Sequence, residues 1–322
     1  MVLKKATGQP LGVGKYTEVL PFSTNNTIVR VPSSPLNWTV AYIDTLGKEI
    51  VRFDEKKYLS IVNPNKPGGY TLMSVSQFFP FSEGLTPVKS EITGQYGYIN
   101  RKLELAIPFS FRNARPFSEG LAAVQNADGN WGFINTLGKL VIPYTYSMPA
   151  SRFASGLAKV QSKQAKFGFI NKDNVVVIQP KYQFATSFYK GYALAKESYS
   201  QPAEFIDSTG AVIATFPKDL VYIDNATAAF SDDQFELPFY TSSTLQQLVD
   251  EGRGIFMKGT SYGLADNKGQ VVLDFKYQYL SDFHKGKLFA HYNAYINSKT
   301  INQLGIIDDK GNWLIEISPS QF

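Results

Sequence analysis

His284 and His291 are the only histidines in 322 residues, and the chain has no cysteine. These two counts remove most side-chain chemistry. Disulfides and thiolate nucleophiles are excluded. Two imidazoles seven residues apart, with no fixed carboxylate pattern beside them, match no zinc-ligand spacing. A Ser-His-Asp triad would have to recruit one of these two, and no Gly-x-Ser-x-Gly elbow is read in the chain. Gly252-Arg253-Gly254 is too short to cradle a phosphate. A glycosidase needs only two carboxylates, so that class survives. Its most regular candidates, Glu83 and Glu119, recur at one place in a repeat, which points to turn or capping work, since catalytic groups tend to break a repeat. The expectation is a chain that is not an enzyme and uses neither metal nor cofactor.

Contact chemistry is better represented. Between Phe216 and Asp250, Asp232 and Asp233 stand beside Phe235, Phe239 and Tyr240. Buried aromatics anchor interfaces and acids suit their rims, so these five residues are the expected partner-binding set. A second long connection, Phe53 to Pro80, holds Asp54-Glu55-Lys56-Lys57 and Asn63-Pro64-Asn65-Lys66-Pro67-Gly68-Gly69. It reads as a tolerated surface insertion. Connections longer than about 12–15 residues are usually functional or disordered.

Both interrupt a sentence written seven times: aromatic, Gly, aromatic, Ile, Asp or Asn, two variable residues, Gly, then a β-branched run. The clearest copy is Trp131-Gly132-Phe133-Ile134-Asn135-Thr136-Leu137-Gly138, followed by Leu140-Val141-Ile142-Pro143. The central residues are Ala41, Gly97, Gly132, Gly168, Glu204, Gly263 and Gly305, at intervals of 56, 35, 36, 36, 59 and 42. A second landmark keeps the same beat: Phe81-Ser82-Glu83-Gly84, Phe117-Ser118-Glu119-Gly120, Phe153-Ala154-Ser155-Gly156, Phe188-Tyr189-Lys190-Gly191 and Phe283-His284-Lys285-Gly286. A fixed period of this size means stacked supersecondary units that share a core. Within each unit, Trp131–Asn135 alternates as a half-buried strand. The Asn135-to-Gly138 turn has the residues a hairpin needs, and Pro143 marks the exit of the third strand. The recurring aromatics read as core rather than as a ligand platform. No stretch carries a helical period of useful length.

These copies resemble the WG repeat of bacterial proteins, closely over residues 81–188 and more weakly out to about 14–316. Ala203-Glu204 departs from the Trp-Gly pair, and Leu103 and Asn174 stand where turn glycines are expected. The resemblance implies a β-rich repeat architecture, frequent export and no common catalytic residues. It names no ligand.

The seventh unit ends at Trp313-Leu314-Ile315 without its last segment, while Gly14–Phe22 carries the aromatic spacing of that segment. This suggests a seven-bladed β-propeller closed by both termini, within the usual four to eight blades; an open β-repeat solenoid is the alternative. A closed ring of this length would have a radius of gyration near ~20 Å. The repeat argues for one domain over 1–322, enlarged at about 53–80 and 216–250. No apolar run is long enough to span a membrane, and no signal peptide is read at Met1-Val2-Leu3-Lys4-Lys5. Charged residues make up 18%, below the average of about 25%, which suits a protein exported to the periplasm or outer membrane; a cytoplasmic setting stays open. The net charge of +5 is uneven, with local balances of +4 over 1–80, +6 over 81–188 and −5 over 189–322. No dense basic stripe of the nucleic-acid kind results. The functional expectation is a scaffold that binds another protein, in a bacterial envelope complex. A carbohydrate-binding propeller, possibly hydrolytic, is the alternative.

Overall fold

The computed structural model describes residues 18–19, 26–32, 38–44, 46–52, 55–63, 65, 79–222, 243–281, 285–296 and 299–317. The chain forms two compact units, Met1–Arg152 and Phe153–Phe322. The first begins with β1 (Glu18–Val19), β2 (Asn26–Pro32), β3 (Trp38–Asp44) and β4 (Glu49–Arg52), followed by helix α1 (Glu55–Val62). A three-stranded sheet comes next, β5 (Leu85–Lys89), β6 (Tyr96–Asn100) and β7 (Leu105–Phe111). Then come β8 (Asn113–Ala114), β9 (Leu121–Gln125), β10 (Trp131–Asn135) and β11 (Leu140–Tyr146). Each group is one antiparallel sheet in which chain neighbours pair.

The second unit repeats the plan four times. Its sheets are β12 (Leu157–Gln161), β13 (Phe167–Asn171) and β14 (Val176–Tyr182), then β15 (Phe184–Ala185), β16 (Tyr192–Lys196), β17 (Glu204–Asp207) and β18 (Val212–Thr215). The third has β19 (Val221–Tyr222), helix α2 (Ser243–Asp250) outside the ladder, β20 (Arg253–Lys258), β21 (Ser261–Asp266) and β22 (Val271–Tyr277). The last has β23 (Tyr279–Leu280), β24 (Lys287–Ile296), β25 (Lys299–Asp308) and β26 (Trp313–Ile317). The chain is therefore all-β, with seven small antiparallel sheets in series. Two eight-residue helices, which the sequence did not suggest, occupy parts of the two enlarged connections.

The first hairpin of the motif is built as its residues require. In all seven sheets the Asp or Asn side chain accepts backbone N–H groups two and four residues on, as Asn135 Oδ1 does from Leu137 (3.1 Å) and Lys139 (3.0 Å). The fourth residue closes the turn in the left-handed region, a type I turn with a bulge. Leu103 and Asn174 hold it at φ 55° and 62°, where Gly138 has 79°.

The mid-strand glycine answers to the strand beside it. Trp131 pairs with Tyr146 and Phe133 with Ile142, so three residues of β11 bulge opposite Gly132. A Cβ at Gly132 would lie 2.6 Å from the Ile142 carbonyl oxygen. The same offset faces Gly97, Gly168 and Gly263. Where Ala41 and Glu204 replace the glycine, β4 and β18 pair straight past them (Ala41↔Arg52, Glu204↔Thr215). Two expectations change here. Pro143 does not end the third strand: it sits in the bulge, where no ladder N–H is required, and β11 continues to Tyr146. Nor is β10 half-buried, because Trp131, Gly132, Phe133 and Ile134 are all buried.

Within each unit, successive sheets share core. Phe81 packs on Tyr42 of β3 (4.7 Å between ring centroids), Phe117 on Tyr98 of β6 (4.9 Å) and Phe188 on Phe169 of β13 (4.8 Å). The residues after each Phe form a two-residue turn with two consecutive left-handed positions, such as Glu83 (φ 53°) and Gly84 (φ 82°). Non-glycine residues there cost about 1–2 kcal/mol. Glu83 and Ser155 do a second job. The Glu83 carboxylate accepts the Gly120 N–H at 3.0 Å, and Ser155 Oγ accepts the Gly191 N–H at 2.8 Å, each in the next repeat.

Glu18 and Val19 pair with Arg30 and Val29 of β2, so they complete the first sheet and not the seventh. The rest of the Gly14–Phe22 segment lies outside the described residues. Among the described residues every sheet thus consists of strands consecutive in sequence.

Candidate functional site

Among the described residues no cluster of His, Asp or Glu is placed to hold a metal ion. His284 lies outside them; His291 Nε2 bonds Asn302 Oδ1 at 2.9 Å across a hairpin. Glu83 serves the next repeat's backbone, as its recurrence suggested. Gly254 is explained by packing: a Cβ there would meet the Thr244 carbonyl at 2.8 Å and Leu248 Cγ at 2.9 Å, so the glycine seats α2 against β20. Arg253 pairs with Asp309. Gly259-Thr260-Ser261-Tyr262-Gly263 does spell the Gly-x-Ser-x-Gly pattern, a match the reading of the sequence passed over. The structure places it in the β20–β21 hairpin, with Lys258 opposite Ser261, and not in the strand-to-helix elbow that exposes a nucleophile.

The enlarged connections carry the clearest departures from the repeat. In the first, α1 contributes Tyr58 and Val62 to a core with Ile28, Tyr42 and Phe81. That part of the connection fills space. In the second, Asp232, Asp233, Phe235, Phe239 and Tyr240 lie outside the described residues, so the structure places none of them. The chain that follows them is firmly seated. Thr244, Leu245 and Leu248 of α2 are fully buried, with Leu245 and Leu248 in a core with Phe216, Leu220 and Phe256. Thr244 Oγ1 donates to the Ile255 carbonyl at 2.7 Å. At the helix end Asp250 accepts from Tyr189 Oη at 2.9 Å and pairs with Lys190 at 2.8 Å, which ties α2 to the turn before β16. The phenol pKa of Tyr189 is raised by burial and by its bond to Asp250.

Two further departures from the repeat have consequences that only the structure shows. Glu204, in the glycine position, has Oε2 buried without a hydrogen bond, as does the Tyr182 hydroxyl. Burial raises the Tyr182 pKa, and the neighbouring Glu204 adds to it. Above the Tyr182 ring, 4.8 Å from its centroid, Lys181 Nζ pairs with Glu197 at 2.8 Å. The other departure is the β24–β25 hairpin, whose ten-residue strands are twice the length of β9 and β10. Beyond Leu280↔Ala290, Tyr279↔His291 and Leu304↔Ile317 it continues, among the described residues, as a two-stranded ribbon. The 42-residue interval between Gly263 and Gly305, against a ground unit of about 36, was the available signal.

No curated protein matches the sequence. Among solved structures the chain is similar to BamB from Moraxella catarrhalis, with 11% identity and a TM-score of 0.42, covering 93% of this chain and 87% of that one. It is also similar to the WD40 β-propeller domain of Doa1, with 9% identity and a TM-score of 0.29, covering 86% and 93%. A third is PorZ, a bacterial surface component of the type-IX secretion system of Porphyromonas gingivalis, with 8% identity and a TM-score of 0.34, covering 95% and 46%. The family model for the WG containing repeat matches residues 96–130, 131–164, 167–198 and 262–291. Those four segments contain the four central strands whose glycine faces a three-residue bulge, and in these four segments the chain carries WG-containing repeats.

Proposed function

We propose that this chain is a non-catalytic binding or scaffolding module whose partner is another protein, working outside the cytoplasm in a bacterial envelope complex. The observation that carries the reading is the seating of α2. The second insertion returns to its sheet through a buried helix locked by Asp250, Lys190 and Tyr189. The chain that follows the acids and aromatics of 232–240 is therefore fixed, and a fixed attachment lowers the ordering cost of a contact. Phe235, Phe239 and Tyr240 act as anchors; Asp232 and Asp233 form the rim. The low charged fraction supports an exported setting, and no described helix is long and apolar enough to cross a membrane.

The test is in-cell crosslinking with mass spectrometry to identify the partner, then capture by variants. Phe235→Ala, Phe239→Ala and Tyr240→Ala together abolish capture and leave the melting curve unchanged. Asp232→Asn with Asp233→Asn slows association and flattens its salt dependence. Lower stability with intact capture refutes the assignment. A carbohydrate reading draws on Tyr199, which is 74% exposed and held edge-on by Phe184 at 4.6 Å. A glycan array separates the two.

A further inference from the structure

The β24–β25 ribbon has two outer edges, and the structure treats them differently. On the β24 edge, Gln278 occupies the next peptide position: its Nε2 donates to the Asn293 carbonyl at 3.1 Å, and its Oε1 accepts the Asn293 N–H. A side-chain amide thus takes the place of a neighbouring strand, one of the ways a protein blunts an exposed edge. The same bonds show that Asn293 points its N–H and C=O away from β25. Asn293 stands opposite Asn302, and Thr300 is two residues further along β25. In an antiparallel ladder both members of such a pair face outward, and outward residues alternate. Thr300 and Asn302 therefore direct their N–H and C=O groups to the outer side of β25. Among the described residues no strand lies there beyond Leu304↔Ile317, and no plug like Gln278 is present.

We propose that the β25 edge, residues Lys299–Gln303, pairs with the same edge of a second copy of this chain. The segment is self-complementary in that arrangement. With Ile301 opposite Ile301 of the second copy, Thr300 of each chain pairs with Asn302 of the other, and all four outward N–H and C=O sets are satisfied. Lys299, the segment's one charged residue, faces Gln303, so no like charges oppose each other. Two β-branched side chains meet on the symmetry axis, where a non-hydrogen-bonded pair brings Cα atoms to about 4.5 Å. The contact is isologous, so it closes at two copies and does not propagate.

The absence of cysteine gives a direct test on the full chain. Cα atoms at that spacing are within disulfide range, so Ile301→Cys forms a disulfide-linked dimer under mild oxidation, while Lys299→Cys, off the axis, stays largely unlinked. Sedimentation from low to high micromolar protein shows the mass of the unmodified chain doubling. Thr300→Pro removes one outward N–H and holds the chain monomeric with an unchanged melting curve, because edge strands accept proline where no ladder partner is lost. A monomer at all concentrations, with Ile301→Cys unlinked, overturns the proposal and leaves this edge to a strand of another protein or to residues 318–322. Equal linking through Lys299→Cys and Ile301→Cys overturns it too, since that is random collision.

Discussion

Replacing Gly132 with Ala tests the relation between the mid-strand glycine and the bulge. The added Cβ would lie 2.6 Å from the Ile142 carbonyl oxygen and 3.0 Å from the Pro143 carbon and oxygen. Ordinary contact needs 3.4 Å or more, so the carbonyl must retreat by about 0.8 Å. It has little freedom to do so, since Ile142 is fully buried and pairs with Phe133, and Tyr146 is held opposite Trp131. Gly132 is not in the left-handed region, so backbone strain plays no part and the cost is steric. Overpacking costs about 1–3 kcal/mol, offset by about 0.5–1 kcal/mol because alanine has less freedom to lose than glycine. The net destabilisation is about 1–2 kcal/mol, a fall in melting temperature of about 2–8 °C. Scanning calorimetry reads it, with a urea titration to check that the slope is unchanged. Ala41→Gly is the internal control. Its third strand carries no such bulge, so glycine there loses about 0.5–1 kcal/mol instead of relieving anything. A Gly132→Ala protein as stable as the parent would show that the bulge yields freely and that the glycine is not required by it.

Three other outcomes follow from the packing and the turns. Leu245→Ala empties a fully buried site under α2 and should cost about 2–5 kcal/mol, read as a lower denaturation midpoint; a neutral result would mean that the helix is not anchored. The Asp308 pKa is lowered by the Asn312 side chain and then by backbone N–H groups, and that of Asp207 by the Thr209 hydroxyl first. A carboxylate with a depressed folded pKa stabilises the fold above its unfolded pKa and loses that contribution as pH falls through the folded value. Asp207→Asn with Asp308→Asn should therefore flatten the melting temperature on the acid side below about pH 4 while keeping both turns, as Asn135 and Asn171 do. An unchanged acid profile would refute it. Glu83→Ala strips the acceptor from the Gly120 N–H and should cost about 0.5–1.5 kcal/mol, with amide exchange at Gly120 accelerated; unaltered exchange would mean that solvent already serves that N–H.

What the sequence revealed was set by local chemistry. Asn135 and Gly138 prescribe a turn wherever they stand, and a Gly between two aromatics announces a close neighbour, although not that the neighbour is a bulge two residues larger than the strand it faces. Pro143 looked like a terminus because the period of two breaks there, yet the strand resumes once the bulge has absorbed the missing N–H. The helices were hidden for a different reason. Glu55–Val62 and Ser243–Asp250 have eight residues each, about two turns, too short for a helical period to stand out. Their burial depends on surfaces supplied by distant strands. The capacity of Gln278 to plug an edge is also invisible in sequence, because any surface glutamine reads the same until a strand is placed beside it. The candidate contact residues Asp232, Asp233, Phe235, Phe239 and Tyr240 were legible as composition alone.

The contiguity of the sheets bears on how the protein is made. No described sheet borrows a strand from a remote part of the chain, so each ladder can form as soon as its own residues leave the ribosome. Within each unit a later sheet also finds a template already in place. Gly138 rests against Ile107 of the preceding sheet, Gly210 against Ile178 and Gly311 against Leu273. Apart from the β19–β20 pairing, which closes across the second enlarged connection, loop closures stay short, so little entropy is lost before contacts form, and local pairing is the fast kind. Within each unit, synthesis from the N-terminus therefore adds one sheet after another, with few unpaired edges exposed to misassociation at any moment.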